Sequence, residues 1–165
     1  MPGLTLTVIL QDIKKLETEA LVVGFHEDVR PLKGIAGELD WLLCGALSSL
    51  IIKNKLRGSL GEVALLTSRA KVPAKKIFMI GLGPKEGLSP SSLRSAVRTV
   101  VSSVLDAGVK KTAIEYFQPL NMPSPAEVSA LQVGLSEGAG GRSLDIALLA
   151  PDASAYEKIS RLVKG

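Results

Sequence analysis

Apolar and polar positions change period several times along the chain, and each change predicts an element. From Leu4 to Leu10 apolar residues alternate with Thr5 and Thr7, the period-two signal of a strand. After the polar stretch from Gln11 to Glu19, the run Leu21-Val22-Val23-Gly24-Phe25 reads as a short buried strand. From Ala36 to about Lys53 the period becomes helical, with Leu39, Leu43, Ala46, Leu47 and Leu50 on one stripe. Arg57-Gly58-Ser59 closes that segment, and strands follow at Glu62 to Thr67 and Lys76 to Gly81.

The next helix carries the clearest boundary signals. Ser89 stands at its cap, Pro90 at the first helical position, and Leu93, Ala96, Val97, Val100, Val101, Val104 and Leu105 on its apolar face. Asp106-Ala107-Gly108 ends it, and Thr112 to Phe117 reads as a fifth strand. Ser124-Pro125-Ala126-Glu127 has the form of a capping box, opening a helix with Val128, Leu131 and Leu135 inward. The glycines between Glu137 and Gly141 break that helix, Leu144 to Leu149 forms a sixth strand, and Pro151-Asp152 starts a last helix. The order β-β-α-β-β-α-β-α-β-α has no long linker and no internal repeat. It predicts a single domain over residues 1–165, an α/β fold of three α/β/α layers around a mixed sheet.

Composition narrows this picture. Apolar residues make up 46% of the 165, but aromatic residues only 4%, so the core is aliphatic. A formal charge of +4 spread along the chain does not point to nucleic acid. Cys44 is the one cysteine, which excludes an intrachain disulfide. With no secretory signal pattern and no apolar run long enough for a span, the expectation is a cytoplasmic protein without membrane contact.

Residues with chemistry are few. Lys33-Gly34-Ile35-Ala36-Gly37 forms a glycine-bearing turn into a helix, where unpaired backbone N–H groups suit an anion, although Glu38 opposes one. The spacing is neither a dinucleotide fingerprint nor a P-loop. Asp12 reads either as an acceptor for a bound base or as a local Asx turn, and the local use is the expectation. His26 with Glu27 and Asp28 is expected on an exposed loop, Cys44 in buried packing, and the basic stretch from Arg69 to Lys76 on a solvated face. Gly138, Gly140 and Gly141 precede a strand, so they read as a turn. No catalytic residue, metal set or cofactor site emerges.

Three stretches carry a family resemblance. They are Glu17 to Gly24, Pro31-Leu32-Lys33-Gly34-Ile35-Ala36-Gly37-Glu38-Leu39-Asp40, and Lys76 to Gly83. Together they resemble the N-terminal domain of the M17 leucyl aminopeptidase family, itself similar to the macrodomain fold. The resemblance implies full-length enzymes that remove N-terminal residues from peptides, with two metal ions, in hexamers. The resemblance places their metal-binding Lys and Asp/Glu residues and an Asn-Thr-Asp-Ala-Glu-Gly-Arg stretch in the C-terminal domain, and no such stretch occurs in this sequence. The chain therefore resembles the non-catalytic part, with a structural, assembly or regulatory role and, as partner, a second copy or an aminopeptidase catalytic domain.

The macrodomain likeness offers an alternative, a nucleotide- or anion-binding module. It implies that Asp12, in Gln11-Asp12-Ile13, contacts a base and that Gly34, Ile35, Ala36 and Gly37 cradle a phosphate. Two departures weigh against it. Val23-Gly24-Phe25 stands where a catalytic Asn often sits, and Gln118-Pro119-Leu120-Asn121-Met122-Pro123 replaces a second phosphate loop.

Overall fold

A computed structural model describes residues 3–117 and 123–165. Six strands, β1 (Leu4–Ile9), β2 (Ala20–Phe25), β3 (Val63–Thr67), β4 (Lys76–Gly81), β5 (Lys111–Glu115) and β6 (Leu144–Leu149), form one sheet in the order β1-β6-β5-β2-β4-β3. All neighbours run parallel except β3, which pairs antiparallel with β4. This is the mixed sheet expected from the helices spaced between strands. The central strand β2 is buried along its whole length, as its uninterrupted apolar run requires.

Alternation along the strands divides the core in two. Val22, Phe78, Ile80, Ile114 and Ile146 face one helical layer, while Leu21, Val23, Ile77, Met79 and Ala113 face the other. The first layer holds α3 (Pro90–Asp106), α4 (Pro125–Ala139) and α5 (Ala153–Lys164). Each begins with a side-chain cap: Ser89 accepts the N–H of Ser92, Ser124 that of Glu127, and Asp152 that of Ala155. The helices α3 and α4 approach closely because α4 has glycines at the contact. A Cβ on Gly134 would lie 2.7 Å from the Arg94 carbonyl oxygen, and one on Gly138 would lie 2.6 Å from that of Arg98. Gly138 thus belongs inside the helix and not to the break predicted for it, which comes at Gly140. Arg94 and Glu137 clamp the same pair with two hydrogen bonds of 2.7 and 2.8 Å.

The second layer departs from the expected single helix over residues 36–53. It consists of α1 (Gly34–Leu42) and α2 (Ala46–Ile52), meeting at 104°. Cys44 at φ 56° and Gly45 at φ 82° turn the chain between them. The Asp40 carboxylate holds the elbow by accepting from both the backbone N–H and the hydroxyl of Ser48 in the first turn of α2. Cys44 is consequently exposed rather than packed. The apolar stripe survives the bend, since Leu39, Leu43 and Leu47 remain buried.

Candidate functional site

The strands part at one place. Pairing of β2 with β5 stops at Val22 and Ile114, while β2 continues to Phe25 along β4 and β5 continues to Glu115 along β6. From β2 the chain leads through α1, α2 and the edge strand β3 to β4 on one side, and from β5 to β6 on the other. The gap is thus a topological switch point, where crevices form beyond the carboxyl ends of parallel strands. A cleft of about 700 Å³ opens there, in the range of small-molecule sites.

Of the residues singled out in the sequence, Asp12, Gly34 and Ile35 line this cleft, together with His26 and Glu38. Ala36 is buried in the second core. Gly37 lies against the segment just before α1, where a Cβ would stand 2.6 Å from the Leu32 carbonyl oxygen. Gly34 takes φ 61° with open space around it, so its glycine serves the turn. The N-cap position of α1 is Lys33, which supplies no side-chain hydrogen bond, and no acidic residue occupies the first turn. Asp12 makes the local turn, accepting the Lys14 N–H at 2.9 Å with the Lys14 ammonium 3.7 Å away.

His26 is partly buried rather than on an exposed loop. Its Nδ1 lies 3.1 Å from the Gly83 carbonyl oxygen. A carbonyl only accepts, so Nδ1 carries the hydrogen and Nε2 is the free ring nitrogen. Arg30 reaches the carbonyls of His26 and Arg57 from outside.

Glu115 is the cleft residue that sequence reading missed. Its position in a strand-end triplet, Glu115-Tyr116-Phe117, gave no motif; the signal available was a lone carboxylate ending an apolar strand. Burial pushes its carboxyl up to about 8, with a backbone hydrogen bond from Gly24 acting the other way. The next residue, Tyr116, turns to the opposite layer and donates to the Glu127 carboxylate at 3.1 Å. Burial, and then Glu127, push the Tyr116 hydroxyl upward too. Glu127 thus gives its carboxylate to Tyr116, and only the Ser124 half of the expected capping box forms. At Gly24 a side chain would collide with Leu82 and the Phe117 ring, 2.7 and 2.8 Å from the Cβ position. Apolar carbon therefore fills the end of β2, where macrodomains often carry an Asn. Residues 118–122 of the replaced phosphate loop lie outside the described residues. Among the described residues no three His, Cys, Asp or Glu side chains converge to hold a metal ion.

The sequence profile of the cytosol aminopeptidase family N-terminal domain matches residues 22–139. The chain belongs to that family. A probable cytosol aminopeptidase of Geobacter sulfurreducens is 31% identical over 136 residues, covering 82% of the chain and 27% of that relative. One from Alkaliphilus metalliredigens is 30% identical over 133 residues, covering 79% and 26%. This family domain thus spans about a quarter of the length of these relatives.

Solved structures agree on the fold. A tomato leucine aminopeptidase mutant superposes with a TM-score of 0.70 at 18% identity, over 98% of the chain and 36% of its own. An Oceanobacillus iheyensis macrodomain mutant gives 0.76 at 15% identity, over 95% of the chain and 89% of its own. The same macrodomain with ADP gives 0.72 at 15%, over 95% and 88%. The fold is therefore macrodomain-like, as the glycine turn and flanking strands implied. No single helix among the described residues is long and apolar enough to cross a membrane.

Proposed function

We propose that residues 1–165 act as one non-catalytic domain that docks on the catalytic portion of a cytosol aminopeptidase-like protein. The observation that carries this is the elbow of α1 and α2. Trp41 is 81% exposed and Ile52 80% exposed there, the two most exposed of the large apolar side chains among the described residues. The second observation is length: the family relatives have about three times as much polypeptide again, and that polypeptide is the natural cover for the elbow.

Sedimentation of the chain with a cytosol aminopeptidase lacking its own N-terminal domain tests the proposal. The expected result is a complex, lost when Trp41 and Ile52 are both replaced by Ser. Self-association through the same two residues, with no mixed complex, would replace the catalytic portion by a second copy as the occupant. A companion assay offers leucine p-nitroanilide with Mn²⁺ or Zn²⁺ to the purified chain. Metal-dependent release of nitroaniline would overturn the non-catalytic role.

A nucleotide or other anion in the cleft, with Asp12 on the base and phosphate at Gly34 and Ile35, is the second reading. The uncapped start of α1 favours it. Asp12 and Glu38 in the same cleft oppose the charge that Lys33 and Lys85 favour, which makes it the weaker of the two.

A further inference from the structure

Among the described residues Glu115 has no counter-cation. The ion pairs among the described residues join Asp12 to Lys14, Arg94 to Glu137 and Asp106 to Arg142, and none involves Glu115. The undescribed stretch 118–122 contains no Lys or Arg either. Glu115 nevertheless stands where β2 and β5 part, opposite Leu149 in the β5–β6 register, in the wall of a cleft that Leu82 and Phe117 also line. A carboxyl held among apolar groups is costly to ionise unless a positive charge arrives with it.

The remaining charged and titratable groups of the cleft come from five segments. Asp12 follows β1, His26 follows β2, Lys33 and Glu38 belong to the start of α1, Lys85 follows β4, and Tyr116, whose hydroxyl donates to Glu127, follows β5. Lys33 and Lys85 are exposed, so neither acts as the buried partner of Glu115. Asp12 is engaged by Lys14. The cleft thus combines the acidic groups Glu115 and Glu38 with apolar surface from Leu82, Phe117 and Leu149, the complement of a cation carrying a small hydrocarbon body.

We propose that this cleft binds a small organic ammonium ion, an apolar primary amine whose head group pairs with the Glu115 carboxylate and whose body lies against Leu82 and Phe117. The proposal goes beyond the docking role and is independent of it, because the elbow and the cleft share neither Trp41 nor Ile52. It also replaces the anion of the second reading with a ligand of opposite charge. Binding requires the carboxylate, so an amine entering at neutral pH displaces a proton from Glu115.

Three probes of one shape separate the head groups: isoamylamine, isoamyl alcohol and isovalerate, each titrated calorimetrically into the purified chain. Saturable binding is expected for the amine, with weaker or undetected binding of the alcohol and the acid. Because protonation of Glu115 competes below a value of about 8, amine affinity rises about tenfold from pH 6.5 to 7.5. Glu115→Gln is expected to weaken the amine at least tenfold and remove the slope, while His26→Gln keeps the slope. A carbon-detected titration of the wild-type Glu115 carboxyl gives a readout that needs no variant, and amine is expected to move its midpoint to lower pH. No saturation by the amine, tighter binding of isovalerate, or an amine affinity indifferent to pH would overturn the proposal. None of those results touches the sedimentation test of the elbow.

Discussion

The two helical layers are built by opposite rules. On one face, α3 and α4 meet through glycines, are capped by serines and share a clamp between Arg94 and Glu137. On the other, α1 and α2 are short, bent, without side-chain caps, and present Trp41 and Ile52 to solvent. The first layer completes its packing within the domain; the second leaves apolar surface and borders the cleft. The locked contacts thus lie on one face of the sheet and the surface proposed for recognition on the other.

The sharpest way to break that contrast is to fill the α3–α4 contact. Gly138→Val places a branched side chain against the Arg98 carbonyl and Val101, and is expected to cost about 3–5 kcal/mol in urea unfolding. If it costs less than a kilocalorie, the two helices are not locked and the comparison fails.

Next in size is a pH effect on the cleft side. The Glu115 carboxyl ordinarily ionises near 4.5 but holds its proton to about 8 in the folded chain. Between those values the native state binds more protons than the unfolded one, so stability falls as pH rises and levels off above about 8. A loss of roughly 2–4 kcal/mol across this window is expected from unfolding curves, and Glu115→Gln should abolish it.

Helix starts give a smaller test in both directions. Ser124→Ala is expected to cost about 1 kcal/mol, while Lys33→Ser, which supplies the cap that α1 lacks, should add roughly 0.5 kcal/mol. Smallest of all, Trp41→Ser should change the unfolding free energy by no more than about 0.5 kcal/mol. Paired with lost association in sedimentation, that near-silence would mark Trp41 as a residue of recognition alone.

These differences also explain what was legible in the sequence. The α3 face was readable almost residue by residue because its signals are local: a capping serine, a proline at the first helical position and an apolar face of valines. All six strands announced themselves through alternation or continuous apolar runs. The bend after Leu42 was hidden because the apolar stripe continues through it, and its cause is the link between Asp40 and Ser48, invisible to periodicity. Gly138 read as a breaker because nothing in sequence shows that α3 lies against it. In the site, Asp12, Gly34 and Ile35 were found because turns have local signatures. Glu115 was missed because its environment is made by strands far apart in the chain. Only the register that ends at Val22 and Ile114 reveals the gap beside it.

The pairing of β1 with β6 has a consequence for how the chain is made. Leu4 pairs with Leu144 and Ile9 with Leu149, so the first strand of this sheet to be synthesised waits for the last before it finds its place. Its entropic cost of closure falls late, after the central strands can already have assembled. Weakening β1 should therefore speed unfolding while leaving the refolding rate nearly unchanged. During synthesis the alternating segment from Leu4 to Ile9 is an unpaired template for other strands, and the time its partner takes to emerge sets how long it stays so.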